Sequence, residues 1–261
     1  MPWDPAQYLK FADHRMRPAI DLLNRVDLAD PRIVYDLGSG TGNVTRLLKL
    51  RWPNAIVTGV DGSSEMLAKA AAANPDITWT RGDLADFRPE RPADLLYSNA
   101  ALQWITRHDR LFPSLAASLA PGGVLAVQMP RNFSAPSHTS IEEAIRMGPW
   151  RSKLEGLVRR EPLPDPGFYY DLIAPVVASI DIWEAEYLQV LEGENPVKEW
   201  TKGTWLRQFL DALEEPERSA FEDCYAGLVA RAYPKRPDGR TLFPFRRVFI
   251  VARARGPETR A

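Results

Sequence analysis

Asp36-Leu37-Gly38-Ser39-Gly40-Thr41-Gly42 is the stretch whose reading decides the fold. A β-rich run, Ile33–Leu37, leads into it, and Val44–Trp52 beyond it has helical spacing. Glycines at alternate positions permit positive φ and let a ligand approach the backbone closely. The helix N-terminus that follows presents N–H groups with no partner inside the helix. Strand, glycine loop and helix in that order form a nucleotide-cradling turn. A dinucleotide fingerprint would read G-x-G-x-x-G, but Asn43 stands where its last glycine should be. Asp36, two residues before the loop, would repel a pyrophosphate and suits a ligand that carries an ammonium group. S-Adenosylmethionine has an α-ammonium and no phosphate, so the loop favours it over NAD, whose oxidoreductase chemistry stays as an alternative.

Outward from the loop, short apolar runs alternate with helical stretches. The runs are Ile33–Leu37, Ile56–Asp61, Ile77–Thr80, Asp94–Ser98 and Val124–Met129, with helices expected over Val44–Trp52, Ser64–Ala73 and Asp109–Leu119. Strands this apolar, separated by helices, imply a parallel sheet covered on both faces, with ligands at the carboxyl ends of its strands. Ile180–Val190 and Arg247–Ala252 add two more strands, so the expected fold is α/β: a doubly wound, mostly parallel, seven-stranded sheet. Asp4, Pro5 and Gln7 open a helical N-terminal segment, residues 1–30. A cofactor-binding core over 31–130 and a substrate-side insertion over 131–167 follow. A helical lid over 195–235 precedes the last strand, and all of it reads as one domain, 1–261.

The strand ends supply the remaining cofactor candidates. Asp61, with Gly62 beside it, lies about 20 residues past the loop, where an acid reaches ribose hydroxyls. Its competing reading is a cap for the helix that follows Ser63. At the third strand end, Asp83 can accept from an adenine amino group while Leu84 covers the ring; alone, Gly82-Asp83-Leu84 would be an ordinary turn. Asn99 and Trp104 bracket the fourth strand end, and Trp104 reads equally well as core. Ser39 completes the loop set.

Composition narrows the classes. The 261 residues are 45% hydrophobic and 26% charged with net charge −1, so no global field attracts nucleic acid or an anionic membrane. Residues 231–261 carry nine Lys or Arg against Asp238 and Glu258, either a solvated tail or cations for an anionic substrate. One cysteine, Cys224, precludes an internal disulfide, and the N-terminus lacks a signal-peptide pattern; both favour the cytoplasm. The most apolar window, Leu111–Met129, is broken by Pro121-Gly122-Gly123 and spans no bilayer. His14, His108 and His138 fall in no general-base pattern, and no metal-ligand spacing is present.

The chain resembles the class I S-adenosylmethionine-dependent methyltransferases, which are Rossmann-like, and within them the bacterial trans-aconitate 2-methyltransferases. The resemblance covers nearly the whole chain. It rests on Trp3-Asp-Pro-Ala-Gln-Tyr-Leu, Arg17-Pro-Ala19, Asp36 to Asn43, Asn99-Ala-Ala-Leu-Gln-Trp104, Leu125-Ala-Val-Gln-Met-Pro130, Tyr169-Tyr-Asp171 and Phe245-Arg-Arg-Val-Phe-Ile-Val-Ala-Arg253. It implies esterification of one carboxylate of a tricarboxylate, with Asp36, Gly38, Gly40, Asp61, Asp83 and Leu84 at the cofactor. A carboxylate is already ionised at neutral pH, so no general base and no catalytic side chain is expected; placement and water exclusion carry the rate.

A polyacid needs cations, and arginine's planar fork matches a carboxylate. The candidates are Arg246 and Arg247 on the last strand and Arg131 at a loop mouth, with Trp104, Tyr169 and Tyr170 beside them. Successive residues of a strand face opposite ways, so at most one of Arg246 and Arg247 reaches the pocket directly. Tyr8 and Arg15, on the first helix, are assigned to the cofactor's methionine end. Other acceptors stay open: a different small or acyl-carrier carboxylate, or a phenol. So does a non-catalytic protein that binds the cofactor. Oligomeric state is not legible.

Overall fold

The structure is a computed structural model that describes residues 16–158 and 163–256. The helix expected from Asp4 and Pro5, with Tyr8, His14 and Arg15, lies outside the described residues.

Seven described strands form one sheet: β1 (Ile33–Leu37), β2 (Ile56–Asp61), β3 (Thr78–Arg81), β4 (Ala93–Asn99), β5 (Leu119–Pro130), β6 (Ser179–Leu191) and β7 (Thr241–Arg253). Their order is β3-β2-β1-β4-β5-β7-β6, and β1–β2, β2–β3, β1–β4 and β4–β5 pair in parallel. The chain moves outward to β3 and then returns to the other side of β1. The order therefore reverses between β1 and β4, and a crevice opens at their carboxyl ends.

Helices α1 (Arg17–Asn24), α2 (Asn43–Arg51), α3 (Ser64–Ala73) and α4 (His108–Ala117) belong to the parallel half. Pro18 sits in the first turn of α1, where its missing N–H is harmless. Ile20, Leu22, Leu23 and Val26 are fully buried, as their spacing suggested. The strand registers leave Val34, Leu37, Val57, Val60, Leu95, Leu96 and Leu125 almost without exposure, which is the parallel-sheet pattern of cover on both faces.

Two compact units emerge. Among the described residues, the first contains 16–130, 164–185 and 248–256; the second contains 131–158, Leu163 and 186–247. Strands β6 and β7 each belong partly to both. The lid expected over 195–235 and the insertion expected over 131–167 fall largely within the second unit. Its helices are α5 (Pro136–Met147), α6 (Arg151–Leu154), α8 (Pro196–Lys202), α9 (Arg207–Asp211) and α10 (Glu217–Ala232); α7 (Pro166–Ile173) belongs to the first unit. Ile141, Ile145, Trp150, Phe209, Phe221, Val229 and Phe243 form a core inside the second unit, with Trp200 and Trp205 packed against it. Those apolar positions bury one another instead of forming one amphipathic stripe. Strand β7 starts six residues before the expected Arg247, because Pro244 reads as a strand break while the alternation from Thr241 to Phe245 is a strand face.

Candidate active site

The loop between β1 and α2 is built by three left-handed glycines, Gly38 (φ +80), Gly40 (φ +54) and Gly42 (φ +84). Two of them are fixed by close approach as well. A Cβ on Gly38 would lie 2.1 Å from the Ala101 Cβ, and one on Gly42 would lie 2.5 Å from the Trp79 ring. The Trp79 indole is anchored by donating to the Asn74 carbonyl at 3.1 Å. Gly38 N and Ser39 N both donate to the Val60 carbonyl, which ties the loop to β2.

Asp61 also holds the loop. One carboxylate oxygen accepts from Gly40 N at 2.9 Å, and the other accepts from Ser63 N at 2.8 Å. The cap of α3 is Ser63, whose Oγ accepts from Met66 N. Asp83 accepts from Ala85 N at 2.9 Å and so caps the short turn Leu84–Asp86. Asp61 and Asp83 line a cavity of about 700 Å³ with Gly38, Gly62, Arg81, Gly82, Leu84, Ala100, Ala101, Trp104 and Ile105. That volume suits a nucleoside-sized ligand. Trp104 is 53% exposed on the wall, so it is not a core residue.

Asp36 is placed differently from the sequence expectation. Its carboxylate is 2% exposed beneath the loop and does not line the cavity. Thr45 Oγ1, in the first turn of α2, donates to it at 2.6 Å. Burial raises its pKa from 3.8 to about 7; the Thr45 bond opposes that, and the Asp61 charge adds to it. Ser39 Oγ, in the loop, and Asn99 Oδ1, at the end of β4, are buried without a hydrogen-bond partner.

Residues 34–123 match a family described as a methyltransferase domain. The trans-aconitate 2-methyltransferase of Azoarcus sp. (strain BH72) is 48% identical over 250 residues, which cover 96% of this chain and 98% of that protein. The chain belongs to the trans-aconitate 2-methyltransferase family. The protein of that name from Rhodopseudomonas palustris (strain BisB18) is 45% identical over 96% of this chain and 98% of its own length. Solved structures share the fold. One is phosphoethanolamine N-methyltransferase 2 of Haemonchus contortus in complex with S-adenosyl-L-methionine (TM-score 0.54, 17% identity, 92% of this chain and 53% of that one). Another is a putative sarcosine dimethylglycine methyltransferase from Galdieria sulphuraria (TM-score 0.57, 15% identity, 92% of this chain and 86% of that one). Family membership settles the class as a methyltransferase and sets the nicotinamide oxidoreductase aside.

In this methyltransferase the substrate-side candidates are divided between the two units: Trp104, Tyr169 and Tyr170 belong to the first, and Arg131, Arg246 and Arg247 to the second. Tyr169, on α7, is fully buried, and its hydroxyl lies 2.7 Å from His108 Nδ1. Because His108 Nε2 lies 2.9 Å from the Leu102 carbonyl it carries the proton, so Nδ1 accepts from the tyrosine. Tyr169 is thus a core strut and not a wall of the cavity. Tyr170, next to it, is 54% exposed. In the second unit, Arg131 N donates to the Arg246 carbonyl at 2.9 Å. Arg246 faces solvent, while Arg247 is 4% exposed with its guanidinium 4.6 Å from the Phe245 ring and 5.9 Å from the Tyr187 ring. Burial lowers the Arg247 pKa to about 10, which leaves it charged at neutral pH. Burial first, and then Glu143, push the Cys224 thiol pKa up, which disfavours the thiolate.

Sequence reasoning missed Ala100. It holds φ +54 without being glycine, donates its N–H to the Gln128 carbonyl and accepts from Gln103 Nε2 on the cavity rim. Such backbone strain accumulates at functional sites, but an alanine carries no sign of it in sequence. Arg81 was missed too, although a cation one residue before Gly82-Asp83 was a readable signal.

Proposed function

We propose that this enzyme transfers a methyl group from S-adenosylmethionine to one carboxylate of trans-aconitate or a closely related small polycarboxylate. The observation that carries the reading is the 48% identity to a trans-aconitate 2-methyltransferase along almost the full length of both chains. The cavity fits the cofactor. Asp61 and Asp83 offer acceptors at two adjacent strand ends for ribose hydroxyls and an adenine amine, and Leu84, Ile105 and Trp104 offer apolar cover. Gly38 and Gly62 line the cavity, and Ser39 and Gly40 of the same loop are proposed cofactor contacts. Asn99 Oδ1, buried without a donor, and Asp36, buried and negative when ionised, suit an ammonium.

Bound S-adenosylmethionine would supply a sulfonium methyl: the new bond joins the methyl carbon to a carboxylate oxygen as the carbon–sulfur bond breaks, and the sulfur departs as the thioether of S-adenosylhomocysteine. The chain's own task is to hold the acceptor in line and keep water away, since proximity can supply roughly 7–11 kcal/mol at best. No proton moves, in keeping with the commitment of His108 to Tyr169 and Leu102. Arg131, Arg246 and Arg247 are proposed cations for the acid, and Trp104 and Tyr170 proposed contacts. Within the described residues no helix is long and apolar enough to cross a membrane. We place the enzyme in the cytoplasm with a small acid, not a nucleic acid, as its partner. Radiolabelled methyl transfer across a panel of di- and tricarboxylates tests the reading. Base-labile incorporation with trans-aconitate is expected; labelling of phenols or acyl carriers alone would overturn it.

A further inference from the structure

We propose that the side-chain amides of Asn132 and Gln189, beside the Arg247 guanidinium, form an anion subsite of the second unit that takes a carboxylate of the acceptor. The inference rests on the carboxyl-methylation reading and adds residues that the sequence did not suggest. Three segments of the second unit carry these groups. Strand β7 lies between β5 and β6, and Arg131, just past β5, is bonded through its backbone to Arg246. Asn132 follows directly. On β6, Tyr187 and Gln189 are buried while Leu188 between them is exposed, so the two share a face. Arg247 lies over the Tyr187 ring, which puts its guanidinium on that face as well.

The chemistry of the three groups is one-sided. Asn132 and Gln189 are each 3% exposed, and neither Asn132 Nδ2 nor Gln189 Nε2 has a hydrogen-bond partner. A buried donor left unsatisfied costs about 1–3 kcal/mol, so two of them within one unit are a standing cost that packing alone does not explain. Arg247 brings a positive charge, the only formal charge among the buried polar residues of this unit that the structure describes. The rings of Phe245 and Tyr187 hold the guanidinium in place and shield it from water, so it is preorganised. Two orphaned N–H donors, in a unit whose buried formal charge is a cation, match an acceptor-only anion such as a carboxylate. They mismatch a phenol or an amine.

Gln189→Met and Asn132→Leu keep volume and remove the donors. Loss of a hydrogen bond to a charged group is worth roughly 1.5–3 kcal/mol, so KM for trans-aconitate should rise about tenfold to a hundredfold in each variant, with the larger effect on KM and not on kcat. S-Adenosylhomocysteine affinity should hold, and the ligand-free thermal midpoint should not fall, because each variant deletes an orphan donor. Unchanged KM in both variants overturns the subsite, as does a lower midpoint with unchanged KM, which marks a structural role. Should either variant fail to fold, Gln189→Glu and Asn132→Asp replace it, since a like charge must repel the acid. If the wild-type enzyme methylates no polycarboxylate, the methylation reading fails by itself. The subsite is then judged by the thermal shift that trans-aconitate produces: a shift in wild type that the variants lose supports it, and no shift in wild type overturns it.

Discussion

Asp36→Asn asks what a buried acid beneath the glycine loop does. In the folded protein its pKa is raised from 3.8 to about 7, mainly by burial. At 1.36 kcal/mol per pH unit, ionising it in place costs up to ~4 kcal/mol relative to the unfolded chain. The sign follows directly. Below pH 4 the group is protonated in both states and contributes no penalty. As pH rises towards 7 the folded state holds its proton longer than the unfolded state, so stability falls, and above about 7 the full penalty is present. Asparagine is isosteric and can still accept the Thr45 hydroxyl at its Oδ1. The variant should therefore match wild type near pH 4 and exceed it at pH 8. A chain of this size shifts roughly 2–4 °C per kcal/mol, so the midpoint should rise by about 8–16 °C at most. Thermal melts of both ligand-free proteins from pH 4 to 8 measure this. A difference that stays flat with pH would falsify the claim that Asp36 carries a buried, strained charge. Calorimetry completes the test: if that charge serves a cationic ligand, wild type should release a proton on binding S-adenosylhomocysteine at pH 6, and the variant should release none and bind more weakly.

Three further outcomes follow from the same site. Gly42→Ala places a Cβ 2.5 Å from the Trp79 ring at φ +84, so about 2–3 kcal/mol of stability should be lost in urea unfolding. Adding Trp79→Leu should recover part of that loss, and no recovery would show that backbone conformation alone is responsible. Asp61→Ala removes the acceptor for Gly40 N and Ser63 N, so midpoint and cofactor affinity should fall together, by roughly 2 kcal/mol or more in stability; Asp61→Asn should retain part of both. Tyr169→Phe deletes the hydroxyl that His108 accepts, which should cost about 1–2 kcal/mol in stability and leave KM for the acid unchanged. A raised KM in a normally stable Tyr169→Phe protein would return that residue to the substrate site.

Local order was legible in the sequence because local forces decide it. Apolar runs that bury both faces marked β1 to β5, and the bounds of β1, β2 and α3 coincide with those read from the sequence. Positive φ in the loop was legible because only glycine adopts it cheaply. Asp61, Asp83 and Leu84 could be placed on one crevice because parallel strands deliver their carboxyl ends to the same edge. Tertiary structure alone decided what depends on which neighbours a side chain meets. It buried Asp36 under its own loop, turned Tyr169 into a strut for His108, and gave Trp79 the space above Gly42. It also gave residues 131–158 and 186–247 a core of their own, because apolar positions far apart in sequence satisfy one another there. Asn132 and Gln189 belong to that second class: an amide is silent in sequence, and only burial without a partner makes it a candidate for a ligand.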